Sequence, residues 1–529
     1  MADYLEAFST DEKQILDAVF SNHDRQVFVL KNLGEEVAAA LFARYSRTAR
    51  SLRRVFLDEF AAGFTPSGTE RSRAGEGSAR RLMDRVIGEY GDDSVSQLGV
   101  LHIAIEQVST VLARQIEWGR LMAYLEQSTR YVPLDTLLPN GHPRAVVPEE
   151  LSGDLLDEYS SVIAAQFELY GETRRRVRNQ LLGGRSLPKG AEARAIEAAS
   201  LDVARGELPM STITNLGVVA NAQSLEYLVL RLRAASSAEA HRIAALLSAE
   251  LAGAIPSLTS RLDRPDRGGA WEEYLSRTYG RARENARELA PPNRHSRSDG
   301  ATVVALSSFD PNAEIRVAAG ILFEHTDLPF AECMDRASRI SDNDLDDLFR
   351  NYTGDRLNRR HKPGRALELA EYTFEIVTDY GTFRDLARHR ILTLLVQQSY
   401  VLFRTLDEPL LAELGLGEAA NSLHDRAFQI AARLRDAFGE ELGRYPLPLR
   451  TKVRFVVKAN ARELLHLCEL RSQPQGHPTY RAVAIAIHRA IADAGHRRIA
   501  AVMQFVDSGE YELGRLFAES RLSDNRERI

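Results

Sequence analysis

Apolar residues fall at helical spacing between Ser94 and Gln127, where Leu98, Leu101, Ile105, Val108 and Leu112 lie three or four positions apart with no proline between them. This pattern predicts one long, largely buried helix. The stretch Tyr480 to Val506 behaves in the same way, with many alanines that favour helix. Strands are predicted where β-branched and aromatic residues cluster: QVFVLK at 26–31, ATVVALSSF from Ala301, and VRFVVK at 453–458. A few strands mixed with long helices point to an α+β fold.

The pattern repeats. ARGELPMSTITNLGVVANAQSLEYLVLRLR begins at Ala204 and GRYPLPLRTKVRFVVKANARELLHLCELR at Gly443. Arg205/Arg444, Leu208/Leu447, Pro209/Pro448, Asn221/Asn460 and Ala222/Ala461 share one spacing of 239 residues. Upstream, Arg120/Arg390 and Gln127/Gln397 share a spacing of 270, so the first copy holds 31 extra residues between its two blocks, around PNGHPRAVVPEELSG and GGRSLPKG. At 529 residues, two tandem copies are also what the size limit on a single core suggests. The expected division is a first copy over 1–285, a proline- and serine-rich linker over 286–300, and a second copy over 301–529.

Composition removes several function classes. No apolar run is long enough to cross a bilayer, and the acidic N-terminus MADYLEAFSTDEK lacks the charge pattern of a secretory signal, so a cytoplasmic protein is expected. Cys333 and Cys468 are the only cysteines, too few for a disulfide framework or a thiolate zinc site within one chain. The net charge of −6 gives no global basic field for nucleic acid or membrane. Of the 68 basic residues only six are lysine, so individual arginines carry the charge chemistry. Walker, dinucleotide-glycine, HExxH and GxSxG motifs are absent, and Gly75-Glu-Gly77 lacks a third glycine.

Three arginine-bearing motifs remain. Arg388-His389-Arg390 precedes the apolar run ILTLLV, and cationic groups set against a buried segment need partners. A polyanionic ligand and ion pairs with acids such as Asp385 both meet that need. Asn460-Ala-Arg462-Glu463 sits where a strand pattern becomes helical. It reads either as a helix cap with Glu463 reaching back, or as an anion site of free amides plus Arg462. Ser128-Thr129-Arg130-Tyr131, expected to end the long helix, suits either a structural turn or a nucleoside monophosphate.

Together these motifs resemble the flavin-dependent thymidylate synthases, whose hallmark is an RHR triplet followed seven residues later by Ser-x-Arg-Tyr. YGDDSVSQLGVLHIAIEQVSTVLARQIEWGRLMAYLEQSTRYVP is similar to that family's central segment throughout, and ARxxLP and NARxLxxxxxLR patterns match one in each copy. The departures are complementary. The first copy has Trp118-Gly119-Arg120 in place of RHR but keeps Ser128, Arg130 and Tyr131. The second keeps RHR but has Gln398, Tyr400 and Val401 at the other three positions. Leu98 and Leu369 stand where the family places a flavin-contacting histidine.

The resemblance implies two α+β copies, each a small, mainly antiparallel sheet with long helices. It assigns Gln115, Ser128, Arg130 and Arg205 to deoxyuridylate (dUMP) and Arg388, His389, Arg390, Asn460, Arg462 and His466 to FAD. Arg471, and with it Arg233, matches a catalytic arginine that clamps the pyrimidine. It further implies reductive methylation of dUMP to dTMP with methylenetetrahydrofolate and NADPH, without a protein thiol nucleophile. The fused chain would then form a homodimer that mimics the family's tetramer, with sites drawn from both copies. The altered motifs leave two alternatives: a catalytically silent paralogue that still binds flavin or pyrimidine nucleotide, or a methylase of a related pyrimidine nucleotide.

Overall fold

A computed structural model describes residues 6–33, 41, 44–45, 48–61, 100–256, 259–290, 302–400, 404–405, 408–511, 513, 514, 516 and 518. Among these are eight strands: β1 Val27–Val29, β2 Val100–Ser109, β3 Met122–Glu126, β4 Ile213–Asn221, β5 Val303–Phe309, β6 Glu371–Asp379, β7 Thr393–Val396 and β8 Lys452–Asn460. They form two sheets of identical plan, β1-β2-β4-β3 and β5-β6-β8-β7, with every pair antiparallel. The duplication read from spaced motifs is therefore a duplication of the α+β fold.

The chain divides into two compact units, and each combines segments from both halves. The first comprises Met1–Glu172, Glu207–Arg297 and Glu418–Pro448; the second comprises Thr173–Gly206, Ser298–Gly417 and Leu449–Ile529. The linker expected over 286–300 falls partly in the helix Ala270–Leu289, and its residues 291–300 lie outside the described residues.

In the first unit the sheet is covered on both faces, as strand alternation requires. Ile103 and Ile105 of β2 pack with Leu216 and Val218 of β4 against the helices Ala222–Arg233 and Ala238–Ala254, through Leu225, Leu228, Ile243 and Leu247. Ala104 joins Phe28, Leu16, Val19, Phe20 and Phe56 in a separate cluster. In the second unit Phe374, Phe383 and Phe455 are fully buried, with Phe383 and Phe455 rings 5.0 Å apart. Each such side chain contributes about 1.5–3 kcal/mol by burial.

Two expected helices are corrected. The span predicted as one helix to Gln127 is β2, the short helix Thr110–Ile116 and β3, while residues 94–99 lie outside the described residues. The three-and-four spacing coexisted with an alternation of Leu101, Ile103 and Ile105, and pairing to β4 favours the β-branched set. Gln107 adopts φ +58 at a register shift between Ile105 and Val108, which puts the two ends of the strand out of a simple period of two. The second expected helix ends at Asp493; Gly495 at φ +91 precedes a separate turn of helix, Arg497–Val502.

Candidate functional site

The RHR triplet lies at the end of a helix, where the chain turns back into the sheet. In the second unit, Asp379 at the end of β6 accepts from the backbone N–H of Thr382 at 2.8 Å and starts the helix Tyr380–Ala387. Arg388 is the C-cap of that helix, and His389 and Arg390 occupy the turn before β7. Opposite them, β8 ends at Asn460, whose side chain accepts from Glu463 N–H at 2.9 Å and starts the helix Ala461–Arg471. The cap expected at Asn460 is present. Glu463 does not close a capping box, because its carboxylate is engaged with His389 at 3.1 Å.

Three guanidinium groups meet at Asp385. Arg205, supplied by the first half of the sequence, pairs with its carboxylate at 3.3 Å, Arg388 pairs with the same carboxylate, and Arg471 donates to its backbone oxygen at 2.6 Å. Arg205 is buried, and its Nη2 has no hydrogen-bond partner among the described residues. Burial lowers the pKa of Arg471, only partly opposed by Asp385. A buried guanidinium nitrogen without an acceptor, beside two further cations, is a setting that a ligand oxygen would satisfy.

His389 is held in one protonation state. Arg471 Nε donates to His389 Nε2 at 3.0 Å. Because guanidinium can only donate, Nε2 must present its lone pair, which places the proton on Nδ1 for donation to Glu463. Burial, then the charges of Arg471 and Arg388, hold the His389 pKa well below the usual histidine range. His466, one turn along the helix from Glu463 and 5.5 Å from the His389 ring, is brought down to about 4, chiefly by burial. Burial raises the pKa of Glu463.

The other residues that the resemblance assigns to FAD lie on the same elements or next to them. Arg462 donates to Pro363 O at 3.0 Å and pairs with Glu368 at 3.2 Å, and Arg390 is exposed. Leu369 is 40% exposed at the end of the turn Arg365–Leu369, whereas Leu98 and Val401 lie outside the described residues.

The first unit has the same frame and different chemistry. Gln115 takes the place of Asp385 and donates to Glu441 at 2.7 Å, and Trp118, Gly119 and Arg120 take the turn of the triplet. Arg231 stacks 4.1 Å above the Trp118 ring and donates to Gln115 O at 3.2 Å, as Arg471 does to Asp385 O. Arg231 therefore makes in the first unit the backbone contact that Arg471 makes in the second. Arg233, the expected counterpart, pairs instead with Asp263 at 2.6 Å and Ser248 at 2.8 Å. A one-residue difference between Asn221 and Arg231 on one hand, and Asn460 and Arg471 on the other, hid the match. A contact shared by the two backbones revealed it.

Ser128 and Arg130 lie on a turn after β3, not at a helix end: Arg130 N–H donates to Ser128 Oγ at 3.2 Å and Val132 N–H to Ser128 O at 3.1 Å. Asp385, Glu463 and Lys362 also belong to the cluster in the second unit. Only Asp385 was signalled beforehand as a partner for the triplet, by its spacing of three from Arg388.

The second copy of this duplicated α+β domain thus gathers three guanidinium groups around one carboxylate. The chain belongs to the family described as thymidylate synthase complementing protein, Thy1, which matches residues 30–257 and 306–494. It is similar to a UPF0159 protein of Chlamydia muridarum, 34% identical over 97% of this chain and 98% of the relative. The flavin-dependent thymidylate synthase of Pyrococcus furiosus is 28% identical over 131 residues, covering 24% of this chain and 52% of that protein. A solved UMP/dUMP methylase, PolB from Streptomyces cacaoi bound with 5-Br dUMP, is 20% identical with a TM-score of 0.31, covering 38% of this chain and 96% of that one.

Proposed function

We propose that the chain methylates the uracil ring of dUMP in a flavin-dependent reaction, with methylenetetrahydrofolate as carbon donor and NADPH as reductant, in the cytoplasm and as a homodimer. The observation that carries this proposal is the meeting of Arg205, Arg388 and Arg471 at Asp385. The site joins Arg205, expected on the substrate side, with Arg388, expected on the flavin side, and Arg471, expected to clamp the pyrimidine. Three cations around one carboxylate suit an anionic ring or phosphate. The unpartnered Arg205 Nη2 supplies a donor ready for it.

FAD would be held by Arg388, His389 and Arg390, with Asn460, Arg462 and His466 beside them, and it would supply hydride chemistry when bound. The protein's own part is positional and electrostatic. Arg471 is held by its bonds to Asp385 O and His389 Nε2 and fixes the neutral His389 tautomer, so His389 adds no charge and is kept in one orientation. Arg205 and Arg471 offset negative charge developing on the pyrimidine. In the other unit, Gln115, Ser128 and Arg130 remain the proposed contacts of the nucleotide. No thiol is required: Cys468 is fully buried with its pKa raised by burial, and Cys333 is fully buried too.

The purified protein should release FAD on denaturation and form dTMP from dUMP, methylenetetrahydrofolate and NADPH. A folded preparation that neither contains nor takes up FAD would overturn the proposal. Leu369 at the family's histidine position, and the WGR triplet of the first copy, favour a second reading, a paralogue that binds without turnover. Stoichiometric binding of FAD and dUMP with no product, from either dUMP or its ribo form, would select it.

A further inference from the structure

The segment between the helix Asp342–Thr353 and the turn Arg365–Leu369 lies along the helix that carries Arg462, Glu463 and His466, and it is fixed at both ends. At one end Arg356, 8% exposed, makes a bidentate pair with Glu469 at 2.7 and 2.6 Å and also donates to Val502 O at 2.7 Å. At the other, Pro363 O accepts from Arg462 Nε at 3.0 Å. Between these pins the chain is folded onto itself. Arg356 Nε donates to His361 O at 2.5 Å, Leu357 N–H to His361 Nδ1 at 3.4 Å, and Arg360 N–H to Asn358 Oδ1 at 2.9 Å.

This fixed strap carries three cations in four residues, Arg359, Arg360 and Lys362. Among the described residues none of their side chains makes a hydrogen bond or an ion pair. Like charges held together on a rigid turn repel, and Arg359 is also partly buried. Solvated basic loops ordinarily pair with nearby acids, as Arg365 does with Glu368 at 2.9 Å three residues beyond the tip. The strap joins the helix that carries Arg462, Glu463 and His466 through Pro363 O, and the Lys362 charge adds a small contribution, behind burial, to the lowering of His389 and His466. Glu469 and Glu463 act on Arg359 and Lys362 only from a distance, each already engaged elsewhere, with Arg356 and His389, so the tip has no ion-pair partner of its own among the described residues.

We propose that Arg359, Arg360 and Lys362 form the phosphate-recognition element of this site, binding the diphosphate of a dinucleotide ligand whose ring system is held at the RHR end. The assignment rests on the flavin reading of the site. Arginine and lysine at adjacent positions suit the many oxygens and two charges of a diphosphate better than a single carboxylate.

Binding of FAD, riboflavin, dUMP and inorganic pyrophosphate to the full chain and to the triple variant R359A/R360A/K362A should be measured by fluorescence or calorimetry at several salt concentrations. The three side chains are not in the packed core, so the melting temperature of the apoprotein should be unchanged, and this serves as the control for folding. FAD affinity should fall 10- to 100-fold in the variant and its salt dependence should flatten, while riboflavin and dUMP affinities stay within twofold. An FAD affinity and salt slope equal to wild type would overturn the proposal and leave the flavin reading intact. Loss of dUMP binding with FAD unaffected would overturn it as well. If wild type binds neither flavin but binds pyrophosphate, and the variant does not, the flavin reading falls and the strap stands as an anion site.

Discussion

His389 is neutral in the folded chain because the group bonded to its Nε2, the guanidinium of Arg471, has only protons to offer. The consequence for stability has a definite sign. An unfolded histidine titrates near pH 6.5 and His389 in the fold well below it, so between those values the unfolded chain binds the extra proton. The stability that neutral His389 permits is complete above about pH 6.5 and is lost as pH falls below it, by at most about 1.4 kcal/mol per pH unit for one proton. His466 acts in the same direction over its own range. Glu463, with its pKa raised, acts oppositely: its contribution is present below the ordinary carboxylate range and is lost as pH rises through its folded value. Denaturant melts from pH 7.5 to 5 should therefore show a shallower acid loss in His389→Asn than in wild type, and identical slopes would mean that His389 is protonated in the fold. At this scale the sequence was informative only over short distances. The Arg388 and Asp385 pairing was visible at a spacing of three, whereas the Arg471 contact with His389 spans 82 residues and the register of Arg231 is set by helix packing.

The element between the helix Thr110–Ile116 and β3 explains why the first unit does not repeat the triplet. A Cβ at Gly119 would lie 2.7 Å from Met122 Sδ and 2.8 Å from Tyr124 Oη, and the Tyr124 hydroxyl donates to Gly119 O at 3.1 Å. The volume that a histidine would need at this turn is filled from β3. Restoring it with Gly119→His should overpack the turn and cost about 1–3 kcal/mol. Pairing it with Tyr124→Ala should recover part of that cost, so the double-mutant cycle should give a favourable coupling. Thermal melts giving strictly additive effects would mean that Tyr124 does not close the position. The glycine is legible as a departure from the motif but its cause is not, because the helical spacing predicts Tyr124 on the same long helix and not on a neighbouring strand. The strand prediction succeeded for β1, β5 and β8, whose apolar runs are short and bounded by polar residues. It failed for β2, where Gln107 shifts the register and helical spacing competes with alternation.

For the whole molecule, identical strand order in the two sheets means that the copies kept their fold while their sites diverged in charge. The second unit sets Arg205, Arg388 and Arg471 around Asp385, and the corresponding place in the first unit holds Gln115 bonded to Glu441, with Trp118 stacked under Arg231. An indole presents a neutral face and one donor, and Glu441 adds negative charge where the other unit has a cationic surplus, so an anionic flavin is disfavoured in the first unit on both counts. The repeat and the uneven motifs were readable along the chain. The exchange of segments that carries Arg205 into the second unit was not, because it depends on packing between residues far apart in sequence. If flavin binding is confined to the guanidinium cluster, the saturated protein should carry one FAD per chain. Arg388→Ala should remove it, while Trp118→Ala should leave the stoichiometry at one. Absorbance of FAD released from saturated protein, set against chain concentration, measures this directly. Two FAD per chain would give the first unit a flavin site of its own, and one FAD per chain that survives Arg388→Ala with an unchanged apoprotein melt would move the site away from the triplet altogether.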